Sequence, residues 1–322
     1  MTSEQKPKLI VVCGPTATGK SDLAVDIALF IKRTLSKEAE IISADSRQVY
    51  TGLNVGTGKI TRDEMRGIPH HMLDIVAPAE AYSVADYKKE AERIIFGLHA
   101  RNHVPILCGG TGQYIDAIVF NQSIPEVEPD EKLREELELK SIEEITEMFN
   151  NLNKDKDGNP QLHSVDMKNK RRIIRAIEIL KELGHIPPVT TDERFDVLWL
   201  GIDTDDETLK RRISRRLDAR LEPGERNMIT ESQMLLEGSK LTLERMQKLG
   251  LEYAHIADFL ASPGTADDMA KFKELLNTDI WLSRSHAFDS RLNQALKNAD
   301  DSFEPSPAIS STWQSFVWEL QE

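Results

Sequence analysis

The sequence predicts an α/β fold in which a parallel sheet forms the core and a helical segment is inserted into it. Three observations lead to this prediction. Short apolar runs alternate with amphipathic stretches as far as Val119, which is typical of parallel strands joined by helices. A glycine-rich motif, GPTATGKS, separates the first apolar run from the amphipathic stretch after it. A region without strand patterns follows, and one further apolar run returns the chain to the sheet.

Each element of the core follows from an apolar run or from helical spacing. The runs predicted as strands are KLIVVC (8–13), AEIISA (39–44) and VPILCG (104–109). Helices are predicted where apolar residues recur on one face, over residues 20–34, 84–100 and 112–119. The regular alternation of the two kinds of segment favours a parallel sheet.

The region after the core segments is predicted to be helical. NQSIPEVEPDE has prolines and no periodicity, which indicates an exit from the core. One helix is predicted over Lys132–Asn150 and another over Val165–Leu183, before the strand FDVLWLGID (195–203). The predicted organisation is a first part of the core (1–118), a helical insertion (119–191), a second part of the core with a strand and helices (192–300) and an irregular C-terminal tail (301–322).

Composition limits the class of protein. With 322 residues, 39% of them hydrophobic and 6% aromatic, the chain is typical of a globular protein. It has no apolar run long enough for a membrane span, and its first residues, MTSEQKPK, are polar and lack the apolar stretch of a signal peptide, so we expect no membrane association and a cytoplasmic location. A net charge of -13 disfavours a nonspecific nucleic-acid binder, although Lys168–Lys181 and Leu209–Leu221 are rich in Lys and Arg and leave room for a local basic surface.

Several residues are of types that can bind a metal, but their sequence context predicts structural roles. Cys13 and Cys108 each end an apolar run and are predicted to be buried free thiols. The loop NKDKDGNPQLHS (153–164) begins like a calcium-binding loop, but Ser164 stands where the closing Glu belongs. His70 and His71 are adjacent and lack clustered Cys or Asp partners, so a structural role is favoured over a metal site.

The motif after the first strand predicts a phosphate site. Gly14, Gly19, Lys20 and Ser21 satisfy G-x-x-x-x-G-K-[ST], with a strand before the motif and a helix after it. In such a loop the backbone N–H groups and the helix N-terminus converge on phosphate oxygens, the Lys supplies a charge, and the hydroxyl can bind Mg²⁺. The sequence therefore predicts a P-loop NTPase-like core. Because the loop recognises phosphates and no base, any diphosphate or triphosphate ester would fit.

Asp45 stands just past the second predicted strand, where open α/β sheets place their ligands. Its carboxylate could act as a general base beside the phosphate-bearing substrate. A carboxylate near magnesium, or a helix cap, is the alternative interpretation.

Five segments occur in an order that resembles one family, the tRNA dimethylallyltransferases, also called tRNA isopentenyltransferases: GPTATGKS, ISADSRQVYTGLNVGTGK, PHHMLDI, YSVADY and GGTGQY. The resemblance runs from about Lys8 to about Ser290. It implies transfer of the dimethylallyl group of dimethylallyl diphosphate to N6 of adenine 37 in tRNAs, with Mg²⁺, giving N6-(dimethylallyl)adenosine and diphosphate. It also implies that the helical insertion contacts tRNA, specifically the anticodon stem-loop.

The resemblance assigns roles to individual residues. Asp45 is implied to take the adenine N6 proton, and Arg216 to stabilise the diphosphate. Ser21 is the implied Mg²⁺ ligand. The diphosphate-binding residues that it implies are Gly14, Thr16, Ala17, Thr18, Gly19, Lys20 and Ser21. The implied tRNA contacts are Asp45, Ser46, Arg47, Gln48, Thr111, Arg134, Arg171, Arg172, Ile173, Ile174 and Arg175.

Two late segments depart from the family pattern. WLSRSHAFDS keeps Arg284 but differs at neighbouring positions, and GLEYAHI has Ala254 where a basic residue is common. These departures affect how the helices near the C-terminus contact the diphosphate or the tRNA.

Other functions stay open at the level of sequence. An adenylate isopentenyltransferase would use a free nucleotide as acceptor, and the long helical insertion favours tRNA instead. A P-loop kinase and a noncatalytic P-loop RNA-binding protein are further alternatives. The arginine run of the insertion could be a solvated helical face, and Tyr114 could stack on a base or anchor its helix. We expect the protein to act as a monomer.

Overall fold

A parallel sheet of five strands organises the larger part of the molecule. The computed structural model describes residues 6–154, 158–159, 161, 165–202, 204–224, 227–238, 241–261 and 268–283. The strands are β1 (Lys8–Cys13), β2 (Ala39–Ser43), β3 (His70–His71), β4 (Val104–Gly109) and β5 (Asp196–Gly201). They are all parallel, in the order β3-β2-β4-β1-β5. The predicted α/β fold with a parallel sheet is confirmed.

The sheet is buried on both faces. Side chains of successive strand residues point to opposite faces, and each face packs into its own apolar cluster. On β1, Leu9 and Val11 belong to one apolar cluster, while Ile10 and Val12 belong to another. All four residues are fully buried. This interior strand, which lies between β4 and β5, therefore contacts both halves of the core, and its last residue leads into the glycine-rich motif.

Helices surround the sheet. They are α1 (Lys20–Leu35), α2 (Arg62–Met65), α3 (Val84–Ala100), α4 (Gly112–Val119), α8 (Asp206–Leu221), α9 (Met228–Glu237), α10 (Leu243–Leu249) and α11 (Leu251–Ala261). Residues 268–283 are also helical. The bounds of α3, α4, β1 and β4 are those predicted from the apolar runs. The sequence pattern missed β3 and α2, which are only two and four residues long.

A second compact unit, Asn121–Asp192, is helical. It contains α5 (Glu131–Glu138), α6 (Ile142–Leu152) and α7 (Lys170–Leu183). Apolar residues of all three helices form one cluster, which includes Leu137, Phe149 and Ile177. Its bounds nearly coincide with the predicted insertion, 119–191.

Two predictions about helices in this unit were wrong. The single helix predicted over Lys132–Asn150 is two helices, because Ser141 caps the start of α6 in a capping box with Glu144. The helix predicted from Val165 begins at Lys170, since the Asn169 side chain accepts a hydrogen bond from the Arg172 N–H and so acts as its N-cap.

The structure also bears on the predictions about cysteines, metal sites and membrane spans. Neither Cys13 nor Cys108 forms a disulfide in the described part of the chain; Cys108 is buried, which raises its pKa to about 12, whereas Cys13 is only partly buried, contrary to the prediction. Across the residues that the structure describes, no group of three or more His, Cys, Asp or Glu side chains could hold a metal ion, and no helix is long and apolar enough to cross a membrane. The predicted tail 301–322, the segment from Arg284 onward and most of the calcium-like loop lie outside the described residues.

Candidate active site

The loop between β1 and α1 is tightly folded. A Cβ on Gly14 would lie 2.4 Å from the backbone oxygen of Ile202, so only glycine fits where the loop passes the end of β5. The Thr18 hydroxyl donates to the Pro15 carbonyl at 2.9 Å, and Gly19 adopts a left-handed conformation directly before α1. These contacts give the loop its P-loop shape at the N-terminus of a helix, where anions bind.

Lys20 is the half-buried cation of this loop. Its Nζ donates to the Pro15 carbonyl at 2.5 Å, and it pairs with no carboxylate in the described part of the chain. Burial lowers the pKa of Lys20, and the nearby Cys108 and Asp45 only partly offset that effect. A buried ammonium without an acidic partner is suited to an anionic ligand.

Asp45 lies where the ends of β2 and β4 meet. The Ala44 N–H donates to the Cys108 carbonyl, and a Cβ on Gly109 would lie 2.1 Å from the Ala44 oxygen. Oδ1 of Asp45 accepts the Arg47 N–H at 2.9 Å, which leaves Oδ2 available. The position of Asp45 beside the phosphate loop follows from this close crossing of two strand ends.

Thr111 holds the segment that follows Asp45. Its Oγ1 accepts the Ser46 N–H at 3.0 Å and donates to the Ser46 hydroxyl at 3.3 Å. Gln48 accepts a hydrogen bond from Ser43 through Oε1 at 3.4 Å, and Arg47 packs against Gly250, at the junction of α10 and α11. These four residues, predicted as tRNA contacts, therefore lie together near Asp45, and the contact with tRNA stays a prediction.

Tyr114 anchors its helix. It is 4% exposed, and its ring stacks on Tyr87 with centroids 3.8 Å apart. The Tyr87 hydroxyl in turn donates to the Ser43 carbonyl at 3.0 Å. The two tyrosines thus support the end of β2, two residues before Asp45. This packing favours a role for Tyr114 in anchoring its helix over a role in stacking on a base.

Arg216 reaches this site from α8. Its Nη1 donates to the Thr16 hydroxyl of the P-loop at 3.3 Å, and its Nη2 donates to the Gly58 carbonyl at 3.1 Å. Burial lowers the pKa of Arg216, while the Asp45 carboxylate acts in the opposite direction. The structure therefore brings Lys20, Arg216 and Asp45 together beside the P-loop, and the roles assigned to them stay predictions.

Sequence reasoning missed Arg220, one helical turn beyond Arg216. Its Nη1 donates to the Gly56 carbonyl at 3.2 Å. Burial first, and then the charge of Arg216, lower the pKa of Arg220 to about 10. The spacing in RRLDAR, with two arginines four residues apart on one helix, was the available signal.

The turn that receives both arginines is held by Glu231 of α9. Its carboxylate accepts the N–H groups of Asn54 at 2.8 Å, Val55 at 2.7 Å and Gly56 at 3.1 Å. The Tyr253 hydroxyl donates to the same carboxylate at 3.1 Å. Nothing in the sequence indicated this role, because Glu231 and the turn are far apart along the chain.

The predicted tRNA contacts of the helical unit fall into two groups. Arg134 and Arg175 both bind the carboxylate of Glu178, through Arg134 Nε at 2.6 Å and Arg175 Nη1 at 3.0 Å, and Glu178 has a side chain only 1% exposed. Burial would raise the pKa of Glu178, but the hydrogen bonds from Arg134 and Arg175 outweigh it and lower that pKa. These two arginines are engaged inside the unit.

The remaining residues of this set lie on α7. The Arg171 side chain is exposed and makes no hydrogen bond or ion pair with any residue the structure describes, whereas Arg172 pairs with Asp166 at 3.5 Å. Ile173 and Ile174 are buried in the apolar cluster of the unit, at 0% and 3% exposure. Their side chains therefore serve as packing residues, and the contact of this stretch of the chain with tRNA stays a prediction.

The adjacent histidines that invited a metal interpretation, His70 and His71, make structural contacts. His70 Nδ1 lies 2.8 Å from the Ile68 carbonyl, and His71 Nε2 lies 2.6 Å from the buried carboxylate of Glu40. His103 Nδ1 lies 2.7 Å from the other oxygen of Glu40. This network joins β3, β2 and the start of β4 through a single acid.

Comparisons with known proteins identify the family of this chain. A family model described as IPP transferase matches residues 48–281. The tRNA dimethylallyltransferase of Staphylococcus epidermidis is 36% identical over 264 residues, which cover 78% of this chain and 75% of the relative. That of Caldanaerobacter subterraneus subsp. tengcongensis is also 36% identical over 264 residues, with 79% of each chain covered.

Solved structures agree in fold. The tRNA isopentenylpyrophosphate transferase from Bacillus halodurans has a TM-score of 0.61 at 28% identity, with 98% of this chain and 95% of that chain covered. A eukaryotic dimethylallyltransferase acting on tRNA has a TM-score of 0.68 at 23% identity, covering 98% of this chain and 85% of that one, which shows likeness of fold. The resemblance carried by the sequence motifs is thus confirmed, and this chain belongs to the IPP transferase family, together with the tRNA dimethylallyltransferases.

Proposed function

We propose that the protein transfers the dimethylallyl group of dimethylallyl diphosphate to N6 of adenine 37 in tRNAs, giving N6-(dimethylallyl)adenosine and diphosphate. The observation that carries this proposal is the placement of one carboxylate, Asp45, beside the P-loop and two cations, Lys20 of the loop and Arg216 of α8. Neither cation has an acidic hydrogen-bond partner among the described residues. The relatives are named tRNA dimethylallyltransferases. A base and an anion site side by side match this reaction.

The cations act on the leaving group. When the C–O bond of the allyl diphosphate breaks, the bonding electron pair stays on the diphosphate, which gains negative charge. Lys20, Arg216 and the N–H groups at the start of α1 then bind it more strongly than they bind the intact ester. The P-loop in this proposal holds a leaving group and transfers no phosphoryl group.

The chemistry of the loop fits Mg²⁺. Ser21 is exposed at the first turn of α1, so its hydroxyl is open to a ligand. Mg²⁺ keeps several waters and takes few protein ligands when phosphates are present, so a single hydroxyl beside the diphosphate is a suitable donor set. When bound, the ion neutralises charge on the diphosphate.

Asp45 acts on the acceptor. The N6 amino group is a weak nucleophile, because its lone pair is delocalised into the adenine ring. A carboxylate that accepts a hydrogen bond from N6–H orients the amine. As the N–C bond forms at the allyl carbon, the N6 proton passes to the Asp45 carboxylate, and the products are the prenylated base and diphosphate.

The acceptor in this proposal is the anticodon stem-loop. The helical unit has in Arg171 an exposed guanidinium available for RNA phosphates. Because the proposed acceptor is tRNA, we place the activity in the cytoplasm, and monomeric action stays a prediction.

Mass spectrometry of nucleosides tests the proposal. Unmodified tRNA with adenine at position 37 is incubated with dimethylallyl diphosphate, Mg²⁺ and the protein, and then digested. We expect adenosine at position 37 to gain one C5H8 unit, and a parallel reaction with AMP to be much slower at equal concentration. A faster reaction with AMP would indicate a nucleotide prenyltransferase, and ATP turnover without dimethylallyl diphosphate would indicate a kinase.

A further inference from the structure

Arg216 and Arg220 present like charges to one another. Their Nη2 atoms lie 2.2 and 1.6 Å from the point where a Cβ on Gly58 would stand, so the two guanidinium groups are in contact. Gly58 has a φ of +58° and leaves the space that both groups use. Both side chains are partly buried, where repulsion between charges is weakly screened.

Their hydrogen-bond partners are neutral. Arg216 donates to Gly58 O and Thr16 Oγ1, and Arg220 donates to Gly56 O. In the described ranges of the chain, neither forms an ion pair with a carboxylate. Glu231 could have neutralised them but is occupied by the N–H groups of the turn and by Tyr253. The carboxylates of Asp45 and Glu252 act on both cations without a hydrogen bond to either one, and they offset only part of the cost, since both pKa values are lowered.

We propose that Arg220 is a second diphosphate-binding arginine, which forms with Arg216 a paired-cation site for the two phosphates of the prenyl donor. The identity of the ligand rests on the proposed function. Two guanidinium groups side by side match an anion that carries charge on two linked phosphates better than they match a single phosphate. The hydrogen bond from Arg216 to Thr16 sets the pair against the P-loop, so the loop and the pair face one ligand.

Burial and the charge of Arg216 disfavour the charged form of Arg220, and a bound dianion reverses this effect by favouring both cations. A purely structural arginine that only held the Gly56 carbonyl would need no adjacent guanidinium. A ligand role and a structural role therefore predict different effects on anion affinity.

Binding of inorganic diphosphate, measured by calorimetry, tests the proposal in Arg220→Gln, Arg220→Lys and the control Arg212→Gln. Arg212 lies on the same helix, is exposed, and its replacement removes the same charge. We expect Arg220→Gln to weaken diphosphate binding about 10- to 100-fold, since one charge-assisted hydrogen-bonding group is lost. Binding of inorganic phosphate should weaken much less. Arg220→Lys should fall between, because it keeps the charge without the planar fork.

The control should bind diphosphate within about twofold of the wild type, because exposed charges are screened. If Arg220→Gln binds diphosphate with wild-type affinity, the proposal is overturned, and this holds also if the variant unfolds at a lower temperature. If Arg220→Gln does not fold, Arg220→Lys decides: a wild-type stabilisation of its melting temperature by diphosphate would count against the proposal.

Prenyl transfer to tRNA is measured in parallel. A wild type that binds diphosphate but modifies no tRNA would contradict the proposed function and leave the comparison of variants intact. If the wild type prenylates tRNA and Arg220→Gln has the same KM for dimethylallyl diphosphate as the wild type, the role of Arg220 is contradicted and the proposed function is not.

Discussion

Replacing Arg175 by Ala should destabilise the helical unit, whereas replacing Arg171 by Ala should not. Arg175 donates to Glu178 Oε2 at 3.0 Å and to the Val127 carbonyl at 2.8 Å. The side chain of Glu178 is 1% exposed. Arg171, on the same helix, is exposed and without an ion pair in the described ranges. The two variants remove the same charge from different environments.

The magnitude follows from what remains around Glu178. Removing one partner of a buried ion pair costs about 3 to 5 kcal/mol when the other charge is left uncompensated. Here Arg134 keeps its bonds to Glu178 at 2.6 and 3.0 Å, so we expect a smaller loss of about 2 to 3 kcal/mol in the free energy of unfolding of the unit. For Arg171→Ala we expect a change within about 0.5 kcal/mol.

Hydrogen exchange of the α7 amides measures this loss locally, independently of the larger unit. An Arg175→Ala loss of this size should speed exchange about 30- to 150-fold, and Arg171→Ala should leave it near the wild type. If Arg171 contacts an RNA phosphate, its replacement should also reduce the salt slope of RNA binding by about one. Wild-type exchange in Arg175→Ala would refute the argument that this arginine is used inside the unit.

Three further predictions concern the larger unit and the buried acid. Asp45→Asn should retain tRNA binding but slow single-turnover prenyl transfer by about 10² to 10⁴, because the amide cannot accept the N6 proton; unchanged transfer would remove Asp45 from the base role. Lys20→Ala should raise the KM for dimethylallyl diphosphate far more than the Kd for tRNA, and the reverse result would assign Lys20 to the other substrate. Glu178 has a lowered pKa, so its contribution to stability is full above its ordinary pKa of 4.5 and is lost as pH falls through the lower folded value. Acid unfolding curves of the wild type and Glu178→Gln should therefore converge below that pH.

The sheet was predictable because its signals are local. β1 and β4 are apolar runs of six residues. Gly14 follows β1 and Gly109 ends β4, and the backbones of Ile202 and Ala44 lie too close to them for any larger residue. The pairing of β3 with β2 is a long-range event, since His70 and Ile41 meet only in the folded chain. A strand of two residues has no period to detect, so the sequence could not indicate it.

The site was predictable where a motif carries its own geometry. The P-loop needs only the residues from Gly14 to Ser21, and Asp45 follows from its place after a strand. Glu231 could not be found, because its role depends on the packing of α9 against a distant turn. Glu178 had a signal that went unused: an acid between Ile177 and Ile179, on a helix rich in buried residues, indicates a buried partner for nearby arginines.

Two arginine-rich helices of similar composition therefore differ in what their charges can do. On α7, Arg175 binds a buried carboxylate and Arg172 pairs with Asp166, so most of the basic run is neutralised within the protein. On α8, Arg216 and Arg220 bind only backbone carbonyls and a hydroxyl among the described residues. Since burying a cation without a paired anion is unfavourable, a ligand that supplies the anion would stabilise such a pair. The density of basic residues in the sequence thus identifies neither site by itself, because the acids that reach each arginine determine which guanidinium groups remain available for a phosphate.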